Sequence, residues 1–157
     1  MTISDMSWTF EDEYFMEQAL AQARLAGQAL EVPIGAVVVV DNKIIATGHN
    51  CVIGSCDPTA HAEITALRNA AAYLKNYRLI DSTMYVTIEP CAMCLMAMIH
   101  ARITRLVFAA YEPRTGSVTS AINLQSLSSW NHKVRVEHGL KSNCAAKLIQ
   151  DFFKDRR

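Results

Sequence analysis

Glycine and proline are scarce, six and four in 157 residues. No repeat, low-complexity tract or Pro/Gly-rich linker divides the chain. Charge of one sign is missing too: 15 Lys+Arg balance 15 Asp+Glu, and 51% of the residues are hydrophobic. That composition excludes intrinsic disorder. No long apolar run is present either. Runs such as Ile34 to Val40 fall far short of the roughly 20 residues a membrane helix needs. The first residues lack a basic flank ahead of an apolar stretch and carry Asp5, Glu11, Asp12 and Glu13 instead, so no signal peptide is expected. These absences predict one domain over residues 1–157, soluble, cytoplasmic and free of any membrane, with a core large enough to hold without disulfides.

What is present is unevenly spread. Residues 1–60 hold eight acidic and two basic residues, so the remainder carries the compensating positive excess, a charge split that suits an anionic partner on the C-terminal part. A mixed solvated surface accounts for the same charges equally well. The five cysteines, Cys51, Cys56, Cys91, Cys94 and Cys144, are odd in number. Without a secretory signal they point to metal binding or chemistry more than to a disulfide framework.

Periodicity predicts alternating elements. Thr9 and Asp12 form a capping box ahead of a helix running to Leu30. Ile34–Val40 and Ile44–Gly48 read as strands joined by a turn at Asp41-Asn42-Lys43. Thr59 is expected to cap a helix from Ala60 to Tyr73, followed by a strand at Thr83–Ile88 and an apolar helix opened by Pro90 and running to Ala101. A strand at Ile103–Ala109, a short helical segment near 119–128, a strand at Lys133–His138 and a helix Cys144–Lys154 capped by Ser142 complete the chain. Helices alternating with buried strands predict an α/β domain with helices on both faces of a mixed sheet. Cys144, inside the last helix, is expected in the core.

The residues with chemistry in them are His61-Ala62-Glu63 and, after one strand, Pro90-Cys91-Ala92-Met93-Cys94. Cys91 and Cys94 share one side of a first helical turn, where the helix N-terminus favours thiolates. Residues two apart on a helix point about 200° from each other, so His61 and Glu63 converge only on a point beyond the helix end. Two helix N-termini aimed at one spot would bring all four residues together. One imidazole and two thiolates suit zinc and leave its fourth position to water, as catalytic sites do. Such water ionises near pH 7, and Glu63, near but not ligating, can carry its proton to a reacting ring and a departing amine. The chemistry is then hydrolytic deamination. The competing reading is a structural zinc closed by Cys51, Cys56, Cys91 and Cys94, which leaves His61 and Glu63 without a role.

His-x-Glu followed by Pro-Cys-x-x-Cys is the signature of zinc-dependent base deaminases. The chain resembles the bacterial tRNA-specific adenosine deaminases, of the cytidine-deaminase-like superfamily. The likeness is carried by VPIGAVVV (32–39), Asn50, DPTAHAEITALR (57–68), NYRLIDSTMYVTIEPCAMC (76–94), AMIHARITRLVF (97–108), RTG (114–116) and DFF (151–153). It implies a three-layer α/β/α fold on a mixed five-stranded sheet, usually as a homodimer. It implies conversion of adenosine to inosine at the wobble position of a tRNA anticodon stem-loop. By the same resemblance His61, Cys91 and Cys94 hold one zinc per subunit and Glu63 moves protons for the hydroxide on that zinc. Asn50 binds the flipped nucleoside, and Ile34, the Ala62 backbone, Ile88 and Pro90 line the base pocket. Glu112 and Arg114 in a loop, with Phe152, Phe153, Lys154, Arg156 and Arg157 in the tail, are expected to meet the RNA, although the two phenylalanines also suit burial. Glu112 stands where the family usually has Asp, Tyr111 where it often has a basic residue, and Met96 at a helix position often filled by Gly. Cys51 and Cys56 flank the site where other polar residues are usual.

Overall fold

The computed structural model describes residues 7–127 and 129–156. Asp5 and Arg157, and so part of the expected basic tail, lie outside the described residues. Ten elements follow in order: α1 (Phe10–Gln28), β1 (Gly35–Val40), β2 (Lys43–His49), α2 (Ala62–Leu74), β3 (Ser82–Ile88), α3 (Ala92–Ala101), β4 (Arg105–Ala110), a 3-10 turn (Leu124–Ser126), β5 (Arg135–His138) and α4 (Ser142–Lys154).

The five strands form one sheet in the order β2-β1-β3-β4-β5. β1 pairs antiparallel with β2 and β3, whereas β3–β4 and β4–β5 are parallel. The hairpin closes through Asp41 and Asn42, both at positive φ (50° and 61°). Short polar side chains tolerate that conformation, and it matches the twist of paired strands. Alternation sorts the side chains onto two faces. Ala36, Val38, Met84, Val86, Leu106 and Phe108 pack with α2 and α3. Val37, Val39, Tyr85, Val107 and Ala109 pack with α1 and α4. The expected three-layer α/β/α arrangement with a mixed five-stranded sheet is therefore the fold.

Details differ from the periodicity. α1 stops at Gln28, and Leu30 turns the chain at φ 62°. The segment near 119–128 contains only the 3-10 turn Leu124–Ser126. Thr59 does not cap α2: its N–H and hydroxyl both donate to Asp57 Oδ1, and His61 is the N-cap with no side-chain cap bond. Pro90 precedes α3 rather than opening it, because Cys91 takes the N-cap. Ser142 is the first residue of α4, and Lys141 occupies the cap in a left-handed conformation. Cys144 is exposed; its neighbour Ala145 supplies the buried contact.

The capping box at α1 is present. Asp12 N–H donates to Thr9 Oγ1 (3.0 Å) and Thr9 N–H to Asp12 Oδ2 (3.2 Å). Asp12 is also buried under the sheet, where Tyr85 Oη donates to it at 2.7 Å and Arg105 donates from both terminal nitrogens at 2.7 and 3.3 Å. Arg105 reaches Glu137 as well, through Nε (3.2 Å) and Nη2. Burial works to raise the Asp12 pKa, but these donors outweigh it and hold the carboxyl down at about 2.

Candidate active site

The site lies beyond the C-terminal ends of β2 and β3, at the N-terminal end of β1, where α2 and α3 begin. Close packing sets the direction of α2. A Cβ at Gly48 of β2 would stand 2.4 Å from Ala62 O and 2.5 Å from Ala66 N, so only glycine lets the first turn of α2 press onto the strand. The loop before α2 is tied to the same place by Cys51 N–H donating to Ala60 O (3.0 Å) and Asn50 N–H donating to Ile34 O (3.1 Å).

His61 and Cys91 are the N-caps of α2 and α3, both with extended backbone, and Cys94 follows in the first turn of α3. The convergence of two helix N-termini expected from the His61–Glu63 spacing is what the chain adopts. Cys91 Sγ stands 3.7 Å and Cys94 Sγ 3.6 Å from His61 Nδ1. The three ligand atoms all lie within 4.8 Å of one another. Zinc bonds of about 2.0–2.1 Å to nitrogen and 2.3 Å to sulfur at a tetrahedral angle separate N from S by about 3.6 Å, so the donor set and its spacing fit this ion. Cys51 and Cys56 do not close the cluster: Cys51 Sγ faces Ala60 O and Thr65 Oγ1, and Cys56 is exposed beside Ile53 O.

Electrostatics agree with a cation site. Cys91 is lowered to about 4, first by its hydrogen bond with Cys94 and then by His61, against the opposing effect of burial. Cys94 is pushed far up by that same bond and by burial, so the pair keeps one proton until a cation displaces it. The bond with Cys91 raises the His61 pKa. Glu63, two residues on, is buried, and burial pushes its carboxyl up to about 7, with Cys91 adding to the rise and His61 opposing it. Its carboxylate stands outside the three-ligand cluster, so it is poised to hold a proton.

A cavity of about 490 Å³ opens on His61, with Ile34, Asn50, Phe152 and Arg156 in its walls. Four expected site residues thus share the cavity with the imidazole. The Arg156 guanidinium lies 3.5 Å over the Phe152 ring. Ala62, Ile88 and Pro90 are packed behind the site and are not among the residues lining this cavity. Phe153, Lys154, Glu112 and Arg114 also lie outside it; Phe153, Lys154 and Arg114 are exposed and Glu112 half-buried. Sequence reasoning passed over Glu31, a buried carboxylate on the cavity wall whose Oε1 accepts from Gly54 N–H at 2.8 Å. It also gave no role to Glu89, which is 2% exposed. An acidic residue wedged between a β-branched strand and Pro90 was the available signal for the latter.

The chain matches the MafB19-like deaminase family over residues 10–157. It is 45% identical over 147 residues to the tRNA-specific adenosine deaminase of Haemophilus influenzae, covering 93% of this chain and 85% of that one. Among solved structures it is similar to a tRNA:A34 deaminase studied for A-to-I editing at the wobble position of transfer RNA, with a TM-score of 0.84, 43% identity, and 86% and 98% of the two chains covered. It is also similar to a guanine deaminase from Bacillus subtilis, with a TM-score of 0.61, 37% identity, and 70% and 81% covered.

Proposed function

The chain belongs to the tRNA-specific adenosine deaminases of the MafB19-like deaminase family, and from that premise we propose that it converts adenosine to inosine at the wobble position of a tRNA anticodon, releasing ammonia. The observation that carries this reading is the meeting of an imidazole and two thiols beside a buried, non-ligating carboxyl. His61, Cys91 and Cys94 would hold one zinc ion. When bound, such an ion lowers the pKa of its water to about 7 and so supplies the nucleophile for attack at C6 of adenine.

The chain's own residues do the rest. Glu63 takes one proton of the attacking water and delivers it to the purine ring, then carries the second, from the oxygen now on C6, to the amine, which leaves as ammonia. A carboxyl titrating near neutrality can both accept and donate. Burial sets that poise, and a cation nearby draws it downward. Asn50 and Ile34 line the cavity and hold the nucleoside, with Ala62, Ile88 and Pro90 packed behind that lining. Phe152 and Arg156 form a wall to which an extruded anticodon base and its phosphate can be held. Phe153, Lys154, Arg114 and Glu112 would extend the contact along the loop. An anticodon base is already partly unstacked, so extruding it costs less than flipping one from a duplex.

We read the working form as a homodimer in the cytoplasm, where its substrate is found; no helix among the described residues is long and apolar enough to cross a membrane. The likeness to guanine deaminases gives the second reading, a free-base enzyme. Ammonia release from an anticodon stem-loop carrying adenosine, against free guanine and cytidine, separates the two. Inosine in the stem-loop supports RNA editing, and turnover of only the free compounds overturns it.

A further inference from the structure

Glu89 sits between the end of β3 and Pro90, two residues before Cys91, with its side chain buried. Its carboxylate faces donors only. Oε1 accepts from the consecutive N–H groups of Val118 (3.2 Å), Thr119 (2.7 Å) and Ser120 (2.9 Å) and from Thr119 Oγ1 (3.4 Å). Oε2 accepts from Glu112 N–H (3.1 Å) and from Ser120 Oγ. Six donors thus converge on two oxygens, sharing the four or so lone-pair sites of a carboxylate. Both ends of one loop, Glu112 and 118–120, are therefore pinned to a single side chain next to the turn that carries Cys91. Gly116 makes the approach possible. A Cβ there would stand 2.4 Å from Glu112 O and 2.5 Å from the Glu89 carboxylate. Ser117 N–H adds a bond to Pro90 O (2.9 Å). The exposed tip of the loop, Pro113–Thr115 with Arg114, stands on this clamped base.

We propose that Glu89 is a positioning residue for RNA: by pinning the Glu112–Ser120 loop to the Cys91 turn it holds the loop's RNA-facing tip in fixed register with the reacting centre. This rests on the tRNA-editing reading above. A loop fixed before binding loses little freedom on meeting its partner, so the carboxylate acts on substrate affinity and not on proton transfer. In Glu89→Gln one oxygen becomes a donor. Ser120 Oγ can rotate to accept from it, but the Glu112 N–H then faces another N–H.

The test measures initial rates on an adenosine-34 anticodon stem-loop, zinc per chain and amide hydrogen exchange for wild type, Glu89→Gln and Gly116→Ala, the last leaving Glu89 itself intact. Expected for both variants is a KM about tenfold higher with kcat within about threefold of wild type. Zinc content should be unchanged, and exchange should be faster over 112–120 but not in α3. Faster loop exchange with an unchanged KM overturns the proposal. So does a fall in kcat or zinc at constant KM, which would make Glu89 a support of the metal turn. Should Glu89→Gln fail to fold, Gly116→Ala decides alone. A wild-type enzyme that leaves the stem-loop unedited refutes the editing reading itself, an outcome distinct from an unchanged KM in the variants of an active enzyme.

Discussion

Two buried polar clusters occupy opposite ends of β3 and β4, and they balance charge by different means. At the N-terminal ends Asp12, Tyr85, Arg105 and Glu137 satisfy one another, guanidinium against carboxylates. At the C-terminal ends His61, Cys91 and Cys94 crowd their ligand atoms within 4.8 Å, with buried Glu63 close by. The second cluster balances its charge with protons on Cys94, Glu63 and His61 that a bound cation would displace. The first cluster resembles a finished structural joint, and the cavity of about 510 Å³ beside it has Asp12, Tyr85 and Arg105 in its lining. The second gathers one imidazole and two thiols at a spacing that fits a zinc ion, beside a buried carboxyl with its pKa raised. Paired opposite charges mark structure, and perturbed groups gathered in a cleft mark chemistry.

The sharpest way to separate the clusters is Glu63→Gln. Loss of the proton carrier should cut inosine formation on the order of 10⁴-fold, while zinc content and melting temperature stay at wild-type values. Activity within tenfold of wild type would remove Glu63 from the chemistry. Next in size, Arg105→Met should destabilise the fold by about 3 kcal/mol in denaturant titration, because buried Asp12 and half-buried Glu137 lose their cation. Zinc content should be untouched.

Acid acts on the same joint more mildly. Asp12 has its folded pKa depressed to about 2 from an ordinary 3.8. Its contribution is therefore complete above about pH 4 and disappears as pH falls toward 2, a loss of about 2 kcal/mol. Stability measured against pH should show this step in wild type, and Asp12→Asn should flatten it. The smallest expected effect is Thr9→Ala, about 1 kcal/mol from the lost cap. That change should leave kcat alone, since it touches only the structural end.

Legibility differed between the same two regions. The end with His61, Cys91 and Cys94 could be read because its constraint is local. His61 and Glu63 two apart, and Cys91 and Cys94 three apart, admit few arrangements, and converging helix N-termini satisfy both. The capping box of Thr9 and Asp12 was equally plain. Hidden from the sequence was the second use of Asp12, which depends on Tyr85 and Arg105 arriving from strands 73 and 93 residues away. Thr59 misled because a good capping residue was spent on Asp57, leaving the cap to a ligand. Cys144 misled because an apolar-looking helix buries Ala145 and turns the thiol outward. Glu89 was overlooked for a similar reason: its donors lie in a loop with no regular pattern.

The central claim is that one imidazole and two thiolates hold a zinc ion with one corner left to solvent. X-ray absorption on the purified protein tests it most directly, alongside metal analysis of wild type and Cys94→Ala. We predict one zinc per wild-type chain, bound by two sulfurs and two lighter atoms, and its loss in Cys94→Ala. A metal-free wild-type protein, or zinc surrounded by four sulfurs, would contradict the account.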